Sequence, residues 1–381
     1  MLQEVKNIKE NKFKVIGIDA TNIIIGGGAT HLKNLINYFL INLSSKYKLV
    51  IFCNDKFSFK KKNKNLKFIY IGKFLSSKPL WRLFWVKFFL PKKIEQNNCD
   101  ILFIPGGIAF KNSSPTTVMF RNLQPFQISP KTLYGLSLSS LRIIFLRFLL
   151  INSFKTSDRI IFLSNHAKKI IQKKILIKNK YKIINHGVNF SGQISYNKIN
   201  IRKTISIVYV SSIEKYKNHI NVLKAIALLK RDFKVKLTLI GSFPEKKNYE
   251  KVRAYINEID PKNSFIQLKG NLEHKILMKT YKDYDLGIHA SSCENFPNIV
   301  IEMLSKNLPV ITSRIPVMKE ILGKNFIFFN ENNHLDIYQK IKKYINSRKY
   351  THYLNKRVNF FKSHFSKKKQ METTFRYLVN E

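Results

Sequence analysis

The strongest constraint on this chain is an alternation that runs along most of its length. Short apolar runs rich in β-branched and aromatic residues are separated by longer stretches of helical period. In the first half they include FKVIGID (13–19), KLVIFC (48–53), DILFIP (100–105), TTVMF (116–120) and RIIFLS (159–164). The series restarts at ISIVYVS (205–211) and continues through KLTLIG (236–241), FIQLKG (265–270), DLGIHAS (285–291), LPVITS (308–313) and FIFF (326–329). Runs that are apolar throughout suit strands covered on both faces, which means parallel sheets sandwiched between helices. The halves also open alike, with a strand, a glycine-bearing or polar loop and an amphipathic helix. In the first these are 13–19, Gly26-Gly27-Gly28 and helix 29–43. In the second they are 205–211, 212–218 and helix 219–230, with Asn218 as the expected N-cap.

The expected fold class is therefore α/β, with two Rossmann-like, doubly wound domains facing across a cleft. The boundary falls in the polar stretch 189–204, giving domains at 1–195 and 196–350. A helical tail, 351–381, is expected to pack back on the first domain. A length of 381 residues suits two domains. In doubly wound sheets ligands sit beyond the carboxyl ends of the strands, so the loops that follow strands are where chemistry should be sought.

Composition narrows the class. Cys53, Cys99 and Cys293 are scattered and odd in number, which argues against a disulfide framework and fits a reducing, cytoplasmic setting. The polar N-terminus, 1–12, resembles neither a signal nor a transit peptide. The most membrane-like stretch, 133–151, is interrupted by Arg142 and Arg147 and reads as an amphipathic or buried helix. Net charge is +45, and 56 of the 68 basic residues are lysine. Lysine is a point charge rather than a planar fork, so this excess describes solvated faces, an attraction to anionic lipid or nucleic acid, or both. No zinc-finger spacing or aromatic RNA-binding pattern points to nucleic acid, and no cluster has metal-ligand spacing.

The segment SSCENFPNIVIEML, 291–304, concentrates the chemistry. It holds two of only 23 acidic residues, Glu294 and Glu302. Pro297 suits the first position of a helix over 297–306, which leaves Glu294 in the loop after strand 285–291 and Glu302 inside the helix. Carboxylates favour sugar hydroxyls, and free amides at a helix start favour phosphate; together they describe a nucleotide-sugar. Alternatively, Glu302 forms a surface pair with Lys306 four residues on, and Glu294 caps a loop. Lys217, in the loop SSIEKYKNH (211–219), can neutralise a departing diphosphate. The glycines in GGGATHLKNL, 26–35, form either a tight turn or a close-approach loop for a ligand. Arg121 and Asn122 follow strand 116–120, and Arg121 is either an ion-pair partner or a site residue.

These segments, in order, resemble the family 4 glycosyltransferases. The stretch 284–322 is similar to the family's donor-binding signature with its paired glutamates. GGGATHLKNL looks like its glycine loop, RIIFLSNHAKK and KIINHGVN like the strands that close its first domain, and YVSSIEKYKNH like its lysine loop. LIGS, with Gly241, and LKGNLEHKILMKTYKDYD resemble its nucleobase side. The resemblance implies the GT-B fold and transfer of a sugar with retention, without a cofactor or bound metal. It places Glu294 and Asn295 at the donor sugar, Lys217 on the diphosphate and Glu302 on the ribose. Backbone around Phe296, Pro297, Asn298, Ile299 and Val300 would face the phosphates, and Gly27 and Gly28 the reaction centre. Two positions depart from the family: Ser212 stands where an arginine is usual, with Arg314 or Lys215 to compensate, and Arg121-Asn122 replaces a histidine.

The expected partners are a nucleotide-sugar donor and a glycan or lipid-linked glycan acceptor of the O-antigen or capsule type. The protein would then be cytoplasmic, at an anionic membrane surface. The aromatic stretches 79–94 (Trp81, Phe84, Trp85, Phe88 and Phe89) and 139–150 would meet the bilayer interface, or else pack as core helices. The alternatives are a sugar-nucleotide epimerase of the same architecture, or a basic nucleic-acid-binding protein without catalysis.

Overall fold

The computed structural model describes residues 13–24, 26–129, 134–190, 192–197, 199–347 and 349–380. The N-terminal stretch 1–12 and residue 133, which opens the membrane-like stretch, lie outside them. Among the described residues, thirteen strands form two sheets. The first contains β1 (Lys14–Ala20), β2 (Tyr47–Cys53), β3 (Leu66–Tyr70), β4 (Ile101–Ile104), β5 (Thr116–Phe120), β6 (Arg159–Phe162) and β7 (Lys180–Ile183), in the order β3-β2-β1-β4-β5-β6-β7. The second contains β8 (Ile205–Val210), β9 (Val235–Ile240), β10 (Ile266–Lys269), β11 (Leu286–His289), β12 (Val310–Ser313) and β13 (Phe328–Phe329), in the order β10-β9-β8-β11-β12-β13. Every pairing is parallel, as uniformly apolar strands require. Ile16, Ile18, Phe103, Ile207, Tyr209 and Ile288 are fully buried. Each such side chain contributes about 1.5–3 kcal/mol through removal from water.

Helices that position the site are α1 (Gly26–Asn42), α4 (His219–Asp232), α5 (His274–Thr280) and α6 (Asn298–Leu304); α2 (Pro79–Phe88) and α3 (Leu138–Thr156) flank the first sheet's half, and α7 (Lys367–Val379) closes the chain. Helix α1 buries His31, Leu32, Leu35, Ile36 and Phe39 at helical spacing. It begins at Gly26, so the three glycines are its first turn rather than a separate loop before a helix at 29. Gly26 has φ +71 at this entry, a conformation that disfavours a side chain.

The chain's last helix returns to the first sheet. α7 packs Phe375 on Tyr38 and Phe39 of α1, with ring centroids 5.8 and 6.4 Å apart. The carbonyls of Tyr377 and Leu378 at its end accept from the Arg159 guanidinium at 2.8 and 3.1 Å, a cation at the negative helix end. Asn380, in the left-handed region, terminates it. Other bonds join the halves directly. The Glu320 carboxylate, from the second half, accepts the amides of Asn165 and His166 at 2.7 and 2.8 Å, where helix 165–172 begins.

Candidate active site

Each sheet reverses its strand order once, between β1 and β4 and between β8 and β11. The residues singled out from sequence follow the carboxyl ends of strands at and beside these two switch points, or lie in the helices that start there, the place where such sheets bind ligands.

On the second sheet, Lys217 ends a short 3-10 turn, Lys215–Lys217, and Asn218 follows in the left-handed region with φ 53. Asn218 was expected as an N-cap, but its side chain makes no cap bond. It donates instead to the Ala290 carbonyl at 2.9 Å and to Ser292 Oγ at 2.7 Å, which pins the lysine loop to the glutamate loop. The left-handed turn is the reason: it aims the side chain away from the first helical amides. Lys217 Nζ then meets Glu294 Oε1 at 2.5 Å, with both side chains largely buried. His289, the last residue of β11, places Nε2 2.9 Å from the same oxygen. Burial alone would raise the Glu294 carboxyl, but Lys217 and His289 outweigh it and hold it down at about 2. Glu294 is therefore a carboxylate at any ordinary pH, fixed from two sides. It does more than cap a loop.

Glu302 takes His274 as an ion-pair partner, beyond the surface pair with Lys306 that helical spacing suggests. Its Oε1 lies 2.9 Å from Nε2 of His274 on α5, and that bond raises the His274 pKa. The second oxygen, Oε2, is buried without a partner among the described residues, leaving one acceptor for a hydroxyl. Pro297 is the cap of α6, not its first helical residue, because its carbonyl accepts the Ile301 amide at 3.2 Å. The helix accordingly runs 298–304 rather than 297–306. The Asn298 amide is taken by the Phe296 carbonyl at 3.0 Å, so Asn298 does not offer it to a phosphate; Ile299 and Val300 carry the first-turn donors. Ser212 bonds Glu214 through its hydroxyl. A side chain at Gly241 would lie 1.9 Å from the Ser211 carbonyl oxygen, so only glycine lets these two loops touch.

On the first sheet, Arg121 crosses the start of α1. Side chains at Gly27 and Gly28 would lie 3.8 and 3.5 Å from its guanidinium nitrogens, and one at Gly106 would come within 2.7 Å of its Cδ. Arg121 has no ion pair or hydrogen bond among the described residues, and burial pulls its pKa down to about 10. Asn122 has a different role. It is exposed, and its side-chain carbonyl accepts the Gln124 amide at 3.2 Å to form a turn.

The two faces meet at Asn295. Its Nδ2 donates to the Phe120 carbonyl at 2.9 Å and its carbonyl accepts from Ser164 Oγ at 2.8 Å. Asn295 adjoins Glu294 in the chain and Phe120 adjoins Arg121, so this bond joins the loop of the buried carboxylate to the strand end that leads into Arg121. Phe296 packs edge-on against His186 and Phe365, with centroids 5.9 and 5.8 Å apart; it supports the loop from beneath. Reading the sequence missed His289, His274 and the bridging role of Asn295. For His289 the signal was present: a histidine at the carboxyl end of an otherwise apolar strand. Among the described residues, no group of three or more His, Cys, Asp or Glu is placed to hold a metal ion. The three cysteines are free and buried.

Two family models match the chain in succession. Glycosyltransferase Family 4 matches residues 25–191 and Glycosyl transferases group 1 matches residues 185–359. The chain belongs to the family 4 glycosyltransferases. Its fold is GT-B, shared over nearly the whole length with solved structures of low sequence identity. Sucrose-phosphate synthase from Thermosynechococcus elongatus superposes with a TM-score of 0.72 at 12% identity, covering 96% of this chain and 99% of that one. A glycosyltransferase from Rickettsia africae gives 0.68 at 16%, covering 97% and 98%. Anabaena HepE in complex with UDP and glucose gives 0.67 at 13%, covering 97% and 100%. No curated protein matches the chain.

Proposed function

We propose that this glycosyltransferase moves a sugar from a nucleoside-diphosphate donor to a glycan acceptor with retention at the anomeric carbon. The observation that carries this reading is the pairing of a buried, doubly held carboxylate, Glu294, with a half-satisfied one, Glu302, on either side of the α6 start. Glu302 Oε2 would accept a ribose hydroxyl and Glu294 a hydroxyl of the transferred sugar, while the amides of Ile299 and Val300 face the diphosphate. Lys217 carries three donors on Nζ, so it can keep Glu294 and still reach a phosphate oxygen. In the transfer, the bond from the anomeric carbon to the phosphate oxygen breaks and a bond to the acceptor oxygen forms. The acceptor proton passes to the departing phosphate, whose charge Lys217 stabilises. That step needs no metal ion. Arg314, exposed beyond β12, supplies the cation that Ser212 lacks.

The test is incubation with UDP- and GDP-sugars, with and without lipid-linked glycan. Acceptor-dependent release of nucleoside diphosphate with an α-configured product from an α-donor supports the reading. Epimer or free sugar released without acceptor replaces it with epimerase or hydrolase chemistry.

We further propose that the acceptor is presented at an anionic membrane, as a lipid-linked glycan of cell-surface polysaccharide synthesis. Phe74, Trp81, Phe84, Phe88 and Phe89 form a connected exposed aromatic stripe on and beside α2, beside the exposed Lys73, Lys78, Lys87, Lys92 and Lys93. On α3, Leu141, Ile144, Phe145 and Phe148 are exposed. Trp85, expected on the same apolar face, turns inward and is buried. No described helix is long and apolar enough to cross a membrane, and an exposed apolar stripe flanked by cations suits the interface instead. Flotation with vesicles containing anionic lipid should carry the protein upward; absence of binding at about 0.15 M salt sinks this part.

A further inference from the structure

Around Arg121 the first-sheet face of the site presents several donors. Gln370, on α7, accepts the Gly187 amide through its side-chain oxygen at 2.8 Å. Its amide nitrogen therefore faces the two histidines. It lies 2.7 Å from Nδ1 of His186 and 3.5 Å from Nδ1 of His31. Both Nδ1 atoms accept, so the ring protons sit on the two Nε2 atoms. Those atoms are buried and have no partner among the described residues. The rings are 5.0 Å apart, and both feel the charge of Arg121.

Arg121 is itself an electrostatic anomaly. Its guanidinium lies over the first turn of α1, a helix of 17 residues. A cation there meets the positive end of the helix dipole and the unpaired first-turn amides. No carboxylate nearby offsets the desolvation of the guanidinium, although an isolated buried charge is costly. Gly27 and Gly28 leave space between the guanidinium and the helix, and Gly106, at φ +101, lets the arginine stem pass. A largely buried cation, a helix start and two proton-bearing rings, without an acid among them, are complementary to an anion.

On the proposed reading the donor diphosphate has its own partners on the opposite sheet, namely Lys217, Arg314 and the α6 amides. We infer that Arg121 and the α1 start hold a second negative charge, a carboxylate or phosphate carried by a sugar, so that this enzyme handles an acidic sugar. This rests on the glycosyltransferase reading and narrows its substrate class. The planar guanidinium suits bidentate pairing with a carboxylate or phosphate.

The experiment is a thermal-shift titration of the full chain in two arms. One compares UDP-glucose with UDP-glucuronate and GDP-mannose with GDP-mannuronate. The other holds UDP or GDP at saturation and compares glucose with glucuronate and with glucose 6-phosphate. The expected result is that an acidic probe binds at least about tenfold more tightly than its neutral counterpart. The preference is lost in Arg121→Gln and only partly restored in Arg121→Lys. Preference in the first arm places the charge on the donor, and in the second on the acceptor. Equal binding of acidic and neutral probes by the unmodified protein, with nucleotide bound, overturns the inference and leaves the glycosyltransferase reading intact. So does an acidic preference that survives in Arg121→Gln. Failure of every nucleotide and nucleotide-sugar to bind removes both. The comparison of probes on the unmodified protein decides the matter even if a variant misfolds.

Discussion

The two faces of the site handle charge in opposite ways. On the second sheet both carboxylates have partners: Glu294 has Lys217 and His289, and Glu302 has His274. On the first sheet Arg121 has no ion pair among the described residues, beside two histidines whose Nε2 atoms have no acceptor among them. A matched site is rigid and pre-set, and it loses stability when one member is removed. An unmatched site waits for its ligand and carries the cost of desolvation in the free protein. The second face therefore reads as the fixed machinery of transfer, and the first as the face whose partner arrives with substrate.

The largest expected effect separates the faces directly. Glu294→Ala should lower turnover by about 10²–10³ or more and destabilise the fold by about 3–5 kcal/mol, because Lys217 is left buried and unpaired. Lys217→Ala should behave alike. Arg121→Ala removes a cation that has no partner, so its melting temperature should hold or rise. Calorimetric melts of the three variants beside turnover assays check this, and a loss at Arg121 as large as at Glu294 breaks the comparison.

The next effect is the pH profile. His31 and His219 sit at about 3 in the folded chain, both through burial first, and His186 is also held well below its ordinary value. A histidine held below its unfolded value of 6.5 lets the unfolded chain take a proton that the folded chain refuses. Stability is then present above about 6.5 and lost as pH falls, at up to about 1.4 kcal/mol per unit for each group. Glu294, held at about 2, adds stability above its ordinary 4.5 that is lost only below that. Denaturant melts between pH 8 and 4 should show the decline begin near 6.5. In His31→Gln the slope should be shallower, while Glu294→Gln changes the profile only below pH 5.

Smaller effects concern the joints between the faces. Asn295→Ala leaves the Phe120 carbonyl without its donor and should cost about 1–3 kcal/mol, read in the same melts. The hydroxyl of Tyr134, from the first half, donates to Glu245 of the second at 2.7 Å and accepts from Gln124 at 3.2 Å. Tyr134→Phe should cost about 0.5–1.5 kcal/mol or less. If it costs nothing in stability but raises the Michaelis constant for the donor, the contact acts in closing the cleft.

Much of this was legible before any coordinates. The apolar strands and their order of recurrence implied parallel sheets, and Glu294, Glu302 and Lys217 were found because each follows a strand in a segment with few acids. The glycine run was harder. Spacing could not tell a loop from a helix start, since glycine is at home in a turn and tolerated at a helix end until α1's buried face decides. Asn218 stands at the N-cap position as expected but turns its side chain elsewhere, and Pro297 is the cap rather than the first helical residue, because capping depends on backbone angles that neighbours impose. His289 and Gln370 were missed because their roles arise from strand register and from a helix that returns across the whole chain.

What the residues determined alone is local: which runs bury on both faces, where strands end and which side chains with chemistry stand at those ends. What tertiary structure decided is pairing. Lys217 and Glu294 are 77 residues apart, and Gln370 and His186 are 184 apart. Whether a charge is matched or left waiting depends on distances of a few ångströms across the cleft, and no local pattern sets those.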